Sequence, residues 1–196
     1  GGRLIQPFAQ LSARLIGGRR FDTLQQCDLS ILPKTMDIMV LAYGAVIAEA
    51  VENLTEDYSP QEEIFILLQQ ALVLLSSHNK RLVVVSSLCK LLSLCGFDPE
   101  LETCTTCHEK IEGDAYFSTV QGGVVCDNCS TGAELPFAVG TRELMLKLQH
   151  LDFENPEKFV VRGADLMQLE QTLYKFLVYQ TDKPLVSLQF LAQMSV

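Results

Sequence analysis

Cysteines at positions 104, 107, 126 and 129 form two Cys-x2-Cys pairs with eighteen residues between them. Four thiolates at that separation can close a tetrahedral shell around one zinc ion, leaving no coordination position for water or substrate. The stretch 116–125 between the pairs reads as a β-hairpin, and its Gly122-Gly123 pair is expected to supply the positive φ angles of a tight turn. A strand pair ending on Cys126 would bring the second knuckle back beside the first. Two disulfides, or one redox-active Cys-x2-Cys, are the competing readings. The doubled knuckle with a hairpin between favours Zn2+ held by Cys104, Cys107, Cys126 and Cys129, and a closed four-thiolate shell is structural.

The remaining cysteines are Cys27, Cys89 and Cys95, the last two inside an apolar run, where a thiol behaves as a small hydrophobe. No secretory signal is visible, which points to a reducing, cytoplasmic setting. The longest apolar run, 82–97, is broken by Ser86, Ser87, Lys90 and Ser93 and is too short to span a bilayer. It reads as a buried core helix, and no membrane association is expected. With 196 residues, 48% hydrophobic and 20% charged, the chain has material for one sizeable domain and a small appendage.

The net charge of −9 is unevenly spread. Residues 1–30 carry Arg3, Arg14, Arg19 and Arg20 against Asp22 and Asp28, whereas the rest of the chain holds twenty-two acidic and eleven basic residues. An acidic body repels a phosphate backbone, so any nucleic-acid contact is expected at the N-terminal end, with Arg3, Arg14, Arg19 and Arg20 as the candidate DNA-binding residues, or in parts of the chain outside this sequence. Solvation of an exposed surface is the plain alternative for these arginines.

Along the chain, residues 3–29 read as strands around a Gly17-Gly18 turn, too poor in apolar side chains to form a stable sheet alone. From Met36 the period changes, and apolar residues at three- and four-residue steps predict a helix over 35–54. Ser59-Pro60-Gln61-Glu62 reads as a capping box opening a helix over 60–77, apolar on most of its circumference and therefore expected to be central. A third helix over 80–95 should stop at Gly96, with Pro99 just beyond. Three such helices make a bundle. Residues 130–139 read as a linker, followed by a short helix marked by Leu144, Leu148 and Leu151. A longer helix over 163–179 and a last short one around Leu185, Leu188 and Leu191 complete the chain. The fold class is thus mainly α, with the zinc hairpin (101–131) inserted within a helical domain (31–196).

No catalytic constellation is visible. His78, His108 and His150 stand in three unrelated contexts, and His108 reads as a neighbour of the cysteine shell or as solvent-exposed. Glu62 and Glu63 suit the first turn of a helix without acid–base work. Both glycine pairs fit turns rather than a phosphate loop. A zinc deaminase would need His-x-Glu, but Asn79 and Lys80 follow His78. An enzyme is not expected.

The order of parts resembles the bacterial RecO family of DNA-repair and recombination mediators. The likeness rests on several features: the segment 4–8 with Pro7-Phe8, Tyr43, the apolar helix 64–75, and Gly96-Phe97-Asp98-Pro99 ahead of Cys104. Tyr116-Phe117-Ser118, Gly122-Gly123, Cys126 and the closing Pro184-Leu185-Val186-Ser187-Leu188 complete it. The resemblance implies an N-terminal OB-fold barrel, of which residues 1–30 would be the closing strands, ahead of the helical domain. A β-rich basic segment upstream would complete that barrel. It further implies binding of single- and double-stranded DNA, annealing of complementary strands, cooperation with RecR, contact with single-strand-binding protein and indirect loading of RecA. A nucleoid-associated location in a bacterial cytoplasm follows from the same likeness. A zinc-stabilised helical adaptor that binds only protein partners is the alternative.

Overall fold

Residues 6–31, 37–57, 59–157 and 160–194 are described by the computed structural model, in two units, Gly1–Leu41 and Ala42–Val196. In the first unit, β1 (Gln10–Ile16) runs antiparallel to β2 (Thr23–Ile31). Leu11 faces Leu29, Ser12 faces Asp28 and Arg14 faces Gln26, with irregularities at Gln10/Leu11 and Arg14/Leu15. The turn lies at the expected glycines, but the second strand begins at Thr23 rather than directly after them. The Gly18 N–H donates to the Asp22 carboxylate (3.3 Å), which closes residues 18–22 into the turn. Among the described residues the two strands pair only with each other, and both are largely exposed.

In the helical part, α1 (Ile38–Leu54) opens on Asp37, whose carboxylate accepts the Val40 N–H at 2.7 Å. Ala42, Val46, Ile47 and Ala50 supply its buried stripe. Helix α2 (Glu62–Leu75) starts two residues later than the expected capping box. Gln61 occupies the N-cap without a side-chain bond, and the Ser59 hydroxyl instead accepts the Gln61 side-chain amide at 3.2 Å. Pro60 therefore sits before the helix rather than at its first position.

The expected central role of α2 falls to α3 (Lys80–Leu94). Helix α2 buries Ile64, Leu67, Ala71, Leu74 and Leu75 but leaves Phe65, Ile66 and Val73 on an exposed face. Helix α3 is buried without interruption from Val83 to Cys89, as the reading of 82–97 as a core helix predicts. Its serines do not break that burial because each hydroxyl finds a carbonyl. Ser86 donates to Leu148 (2.7 Å), Ser87 to Val83 (2.7 Å) and Ser93 to Cys89 (3.3 Å). Asn79 caps α3 by accepting the N–H groups of Arg81 and Leu82. Gly96, at φ 77°, ends it in a Schellman turn, with Phe97 N–H reaching the Leu92 carbonyl at 2.8 Å.

A three-stranded antiparallel sheet follows, in the order β4-β3-β5, from β3 (Ala115–Ser118), β4 (Gly123–Val125) and β5 (Leu135–Phe137). Strand β5 lies in the stretch expected to be a linker. It pairs with β3 through Ala115–Phe137 and Phe117–Leu135. Helix α4 (Val139–Gln149) starts a full turn ahead of its leucine stripe, and α5 (Gly163–Thr181) and α6 (Val186–Met194) close the chain. Three ties hold these helices together. Arg81 forms a two-pronged ion pair with Glu170 of α5 (2.8 and 2.6 Å). Lys90 donates to the Gln149 carbonyl (3.1 Å) at the end of α4 while lying 5.3 Å from the Phe153 ring centre. The Glu49 carboxylate of α1 accepts the N–H groups of Val186 and Ser187, both at 2.8 Å, and the Ser187 hydroxyl, so that a residue of α1 caps α6.

Candidate metal centre and nucleic-acid interface

The first knuckle is a tight reversal. Cys104 N–H donates to the Glu109 carbonyl and His108 N–H to the Cys104 carbonyl, both at 2.8 Å, and Thr103 bridges Lys110. His108 takes a left-handed φ of 63° to complete the turn, and its ring is exposed, outside the sulfur cluster. The second knuckle is a 3-10 turn, Asp127–Cys129, in which Cys129 and Ser130 N–H groups return to the Cys126 carbonyl.

Backbone hydrogen bonds also tie one knuckle to the other. Glu100 N–H donates to the Gly122 carbonyl (3.0 Å), Val124 N–H to Glu100 (2.8 Å) and Thr105 N–H to Val124 (2.9 Å), so the segment leading into Cys104 lies along β4. That approach requires Gly123. A Cβ there would stand 2.5 Å from the Glu100 carbonyl oxygen and 2.9 Å from the Thr105 methyl. Of the glycine pair only Gly122, at φ 69°, supplies a positive angle. The expected two-glycine turn is instead a four-residue loop, and Gly123 is a strand residue paired with Ser118. The sheet is fastened beneath this loop by Phe117, whose ring centre lies 5.4 Å from that of Phe137 and 5.3 Å from that of Phe176 on α5.

This scaffold gathers the four cysteines singled out by spacing. Their sulfurs all lie within 4.8 Å of one another, and those of Cys107 and Cys126 are 3.8 Å apart. A tetrahedron with metal–sulfur arms of about 2.3 Å has edges of about 3.8 Å, so the sulfur set fits one tetrahedral metal ion. The electrostatics agree. Burial disfavours the Cys104 thiolate, but backbone N–H groups of Cys107, Cys126 and Thr106 outweigh it and bring the thiol down to about 6. Cys129, with the sulfurs of Cys126 and Cys107 beside it, is pushed up to about 12. Four thiols so crowded ionise together only around a cation. Cys27, Cys89 and Cys95 stand outside the cluster. Burial pushes the Cys89 thiol up to about 12, which suits an inert core position.

Of the arginines expected to face DNA, Arg14 lies on β1 and Arg19 and Arg20 in the β1–β2 turn, all three exposed. None joins an ion pair among the described residues. Arg3 lies outside the described residues. From sequence, Gly123 reads as half of a turn and Phe117 as a hairpin residue that shares in the family likeness; neither reading marks them as supports of the cysteine cluster, and nothing local marks the backbone of Glu100.

A family model described as "Recombination protein O C terminal" matches residues 36–189. The chain belongs to the RecO family. Its matched span runs through all the helices from α1 to α5 and includes the four cysteines. A "DNA repair protein RecO" from Pelotomaculum thermopropionicum is 30% identical over 191 residues, covering 95% of this chain and 75% of the relative. Proteins of the same name from Desulforamulus reducens and Symbiobacterium thermophilum are 27% and 28% identical, each across 95% of this chain and over 75% and 77% of their own lengths. Like the expectation from hydropathy, no helix among the described residues of this RecO-family chain is long and apolar enough to cross a membrane.

Proposed function

We propose that this chain acts in DNA repair as a non-enzymatic mediator. In this reading it binds single- and double-stranded DNA, anneals complementary strands, and works with RecR and single-strand-binding protein to place recombinase on single strands. The observation that carries the reading is the family match across 36–189, supported by relatives named as DNA repair proteins. Arg14, Arg19 and Arg20 support it from the chain itself: all three are exposed, none joins an ion pair among the described residues, and residues 1–30 carry an excess of positive charge that the rest of the chain lacks. Each could donate forked hydrogen bonds to a phosphate and release condensed counterions.

In the same reading zinc would be held by Cys104, Cys107, Cys126 and Cys129, and residues 1–30 would belong to an OB-type barrel. The metal would supply cross-linking of the two knuckles and no reaction chemistry. A fluorescence annealing assay with two complementary oligonucleotides tests the function. Faster annealing with the protein present, fading as salt rises, is the expected result. Absence of DNA binding at low salt would overturn it in favour of an adaptor that binds only proteins.

A further inference from the structure

The turn between β1 and β2 presents an aromatic ring to solvent. Phe21 is 84% exposed, and Leu15 and Ile16 at the end of β1 are exposed by 58% and 51%. Arg19 and Arg20 immediately precede Phe21, and both are exposed. The turn is nonetheless tightly built. A Cβ on Gly18 would lie 2.2 Å from the Phe21 carbonyl oxygen, and Gly18 N–H holds the Asp22 carboxylate. The one acidic group of the tip is thereby engaged within the turn, leaving its outer side cationic and apolar.

We propose that Phe21 is a base-stacking residue, through which this turn selects single-stranded over double-stranded DNA. The inference rests on the DNA-binding reading above and adds to it the element that distinguishes the two forms of DNA. An exposed phenyl ring offers one flat apolar face, and an unpaired nucleobase presents another whatever its identity. Two cations directly before the ring answer the phosphates that flank such a base. In a duplex the bases are already stacked on each other, so the ring gains nothing without breaking a step. Arg19 and Arg20 contact phosphates in either form and do not discriminate. A protein partner for this apolar tip is disfavoured by its charge, because arginines that join no ion pair among the described residues would have to be desolvated.

These 196 residues contain no tryptophan, so Phe21→Trp is both a conservative replacement and the indole reporter of the turn, read against the unsubstituted full-length protein. Saturating oligo-dT should quench and shift that indole emission. Phe21→Ala should weaken oligo-dT binding about five- to one-hundredfold, with duplex affinity changed less than about twofold and the salt slope unaltered. Phe21→Trp should restore single-strand affinity. Equal losses for both forms of DNA, no loss for either, or an indole emission indifferent to oligo-dT would overturn the proposal. The Arg19→Ala/Arg20→Ala double variant separates the two levels. If it weakens binding and flattens the salt slope while Phe21→Ala is silent, DNA still binds here and the stacking role is wrong. If neither variant alters binding, the turn is not the DNA contact, and both the stacking role and the placement of phosphate binding at these arginines fall.

Discussion

Replacing Phe117 with alanine would report whether the cysteine hairpin and the helices fold as one body. Phe117 is 1% exposed and lies between the rings of Phe137 and Phe176. Truncating a buried phenylalanine costs about 3–5 kcal/mol, a figure that already contains the tilted ring contact with Phe137 and the edge-to-face contact with Phe176. Relaxation is restricted here because β3 is hydrogen-bonded on both sides, by β4 and by β5. We therefore expect about 4 kcal/mol, a large share of the roughly 5–15 kcal/mol that holds a domain together. Urea unfolding of the zinc-loaded protein, followed by circular dichroism and by a zinc-sensitive dye, gives both readouts at once. The expected result is a lower midpoint in both signals and easier release of metal. The Phe117→Ala/Phe176→Ala cycle should show a coupling of about 1 kcal/mol. A loss below about 1 kcal/mol, or a helical midpoint unmoved while the dye signal shifts, would refute the coupling.

Glu49→Gln should loosen α6. Burial opposes ionisation of Glu49, but the Ser187 hydroxyl and the Ser187 and Val186 N–H groups outweigh it and lower its pKa below the ordinary 4.5. The stabilisation is therefore complete above that value and is lost as pH falls through the lower folded pKa. Amide exchange in α6 should rise about tenfold or more in the variant at neutral pH; exchange in the wild type that does not change below pH 4.5 would contradict this account. Cys126→Ser should abolish stoichiometric zinc by elemental measurement while most helical dichroism persists; zinc retained at full occupancy would contradict the ligand set. Gly123→Ala should lower stability by about 1–3 kcal/mol, because the segment at Glu100 must move aside, and an unchanged thermal midpoint would count against that close approach.

The cysteine cluster was legible because its signal is short-range: each pair folds on itself, and chemistry restricts what four thiols can do together. Most helices were legible for a similar reason, since apolar period and stop signals are local. Which helix is central was not. Hydrophobicity alone could not separate the buried Ile64 and Leu67 from the exposed Phe65 and Ile66 on α2. On α3 the serines lowered the apolar count, although hydrogen bonds to carbonyls satisfy their hydroxyls in the core. Strand β5 escaped notice because three residues with a proline in the middle carry no period, and only pairing with β3 defines them. The Glu49 cap on α6 joins residues 138 apart and leaves no local trace.

That cap and the Phe117 anchor impose an order on the nascent chain. At about 5–20 residues per second, Glu49 leaves the ribosome roughly 7–28 s before Ser187 exists to receive it, across 138 residues of further synthesis. Phe117 likewise precedes its α5 partner, Phe176. During that interval the hairpin can gather its cysteines while its underside remains uncovered. The apolar face of β3 then waits for α5, which brings Phe176, and the Glu49 cap closes later still, when α6 brings Ser187.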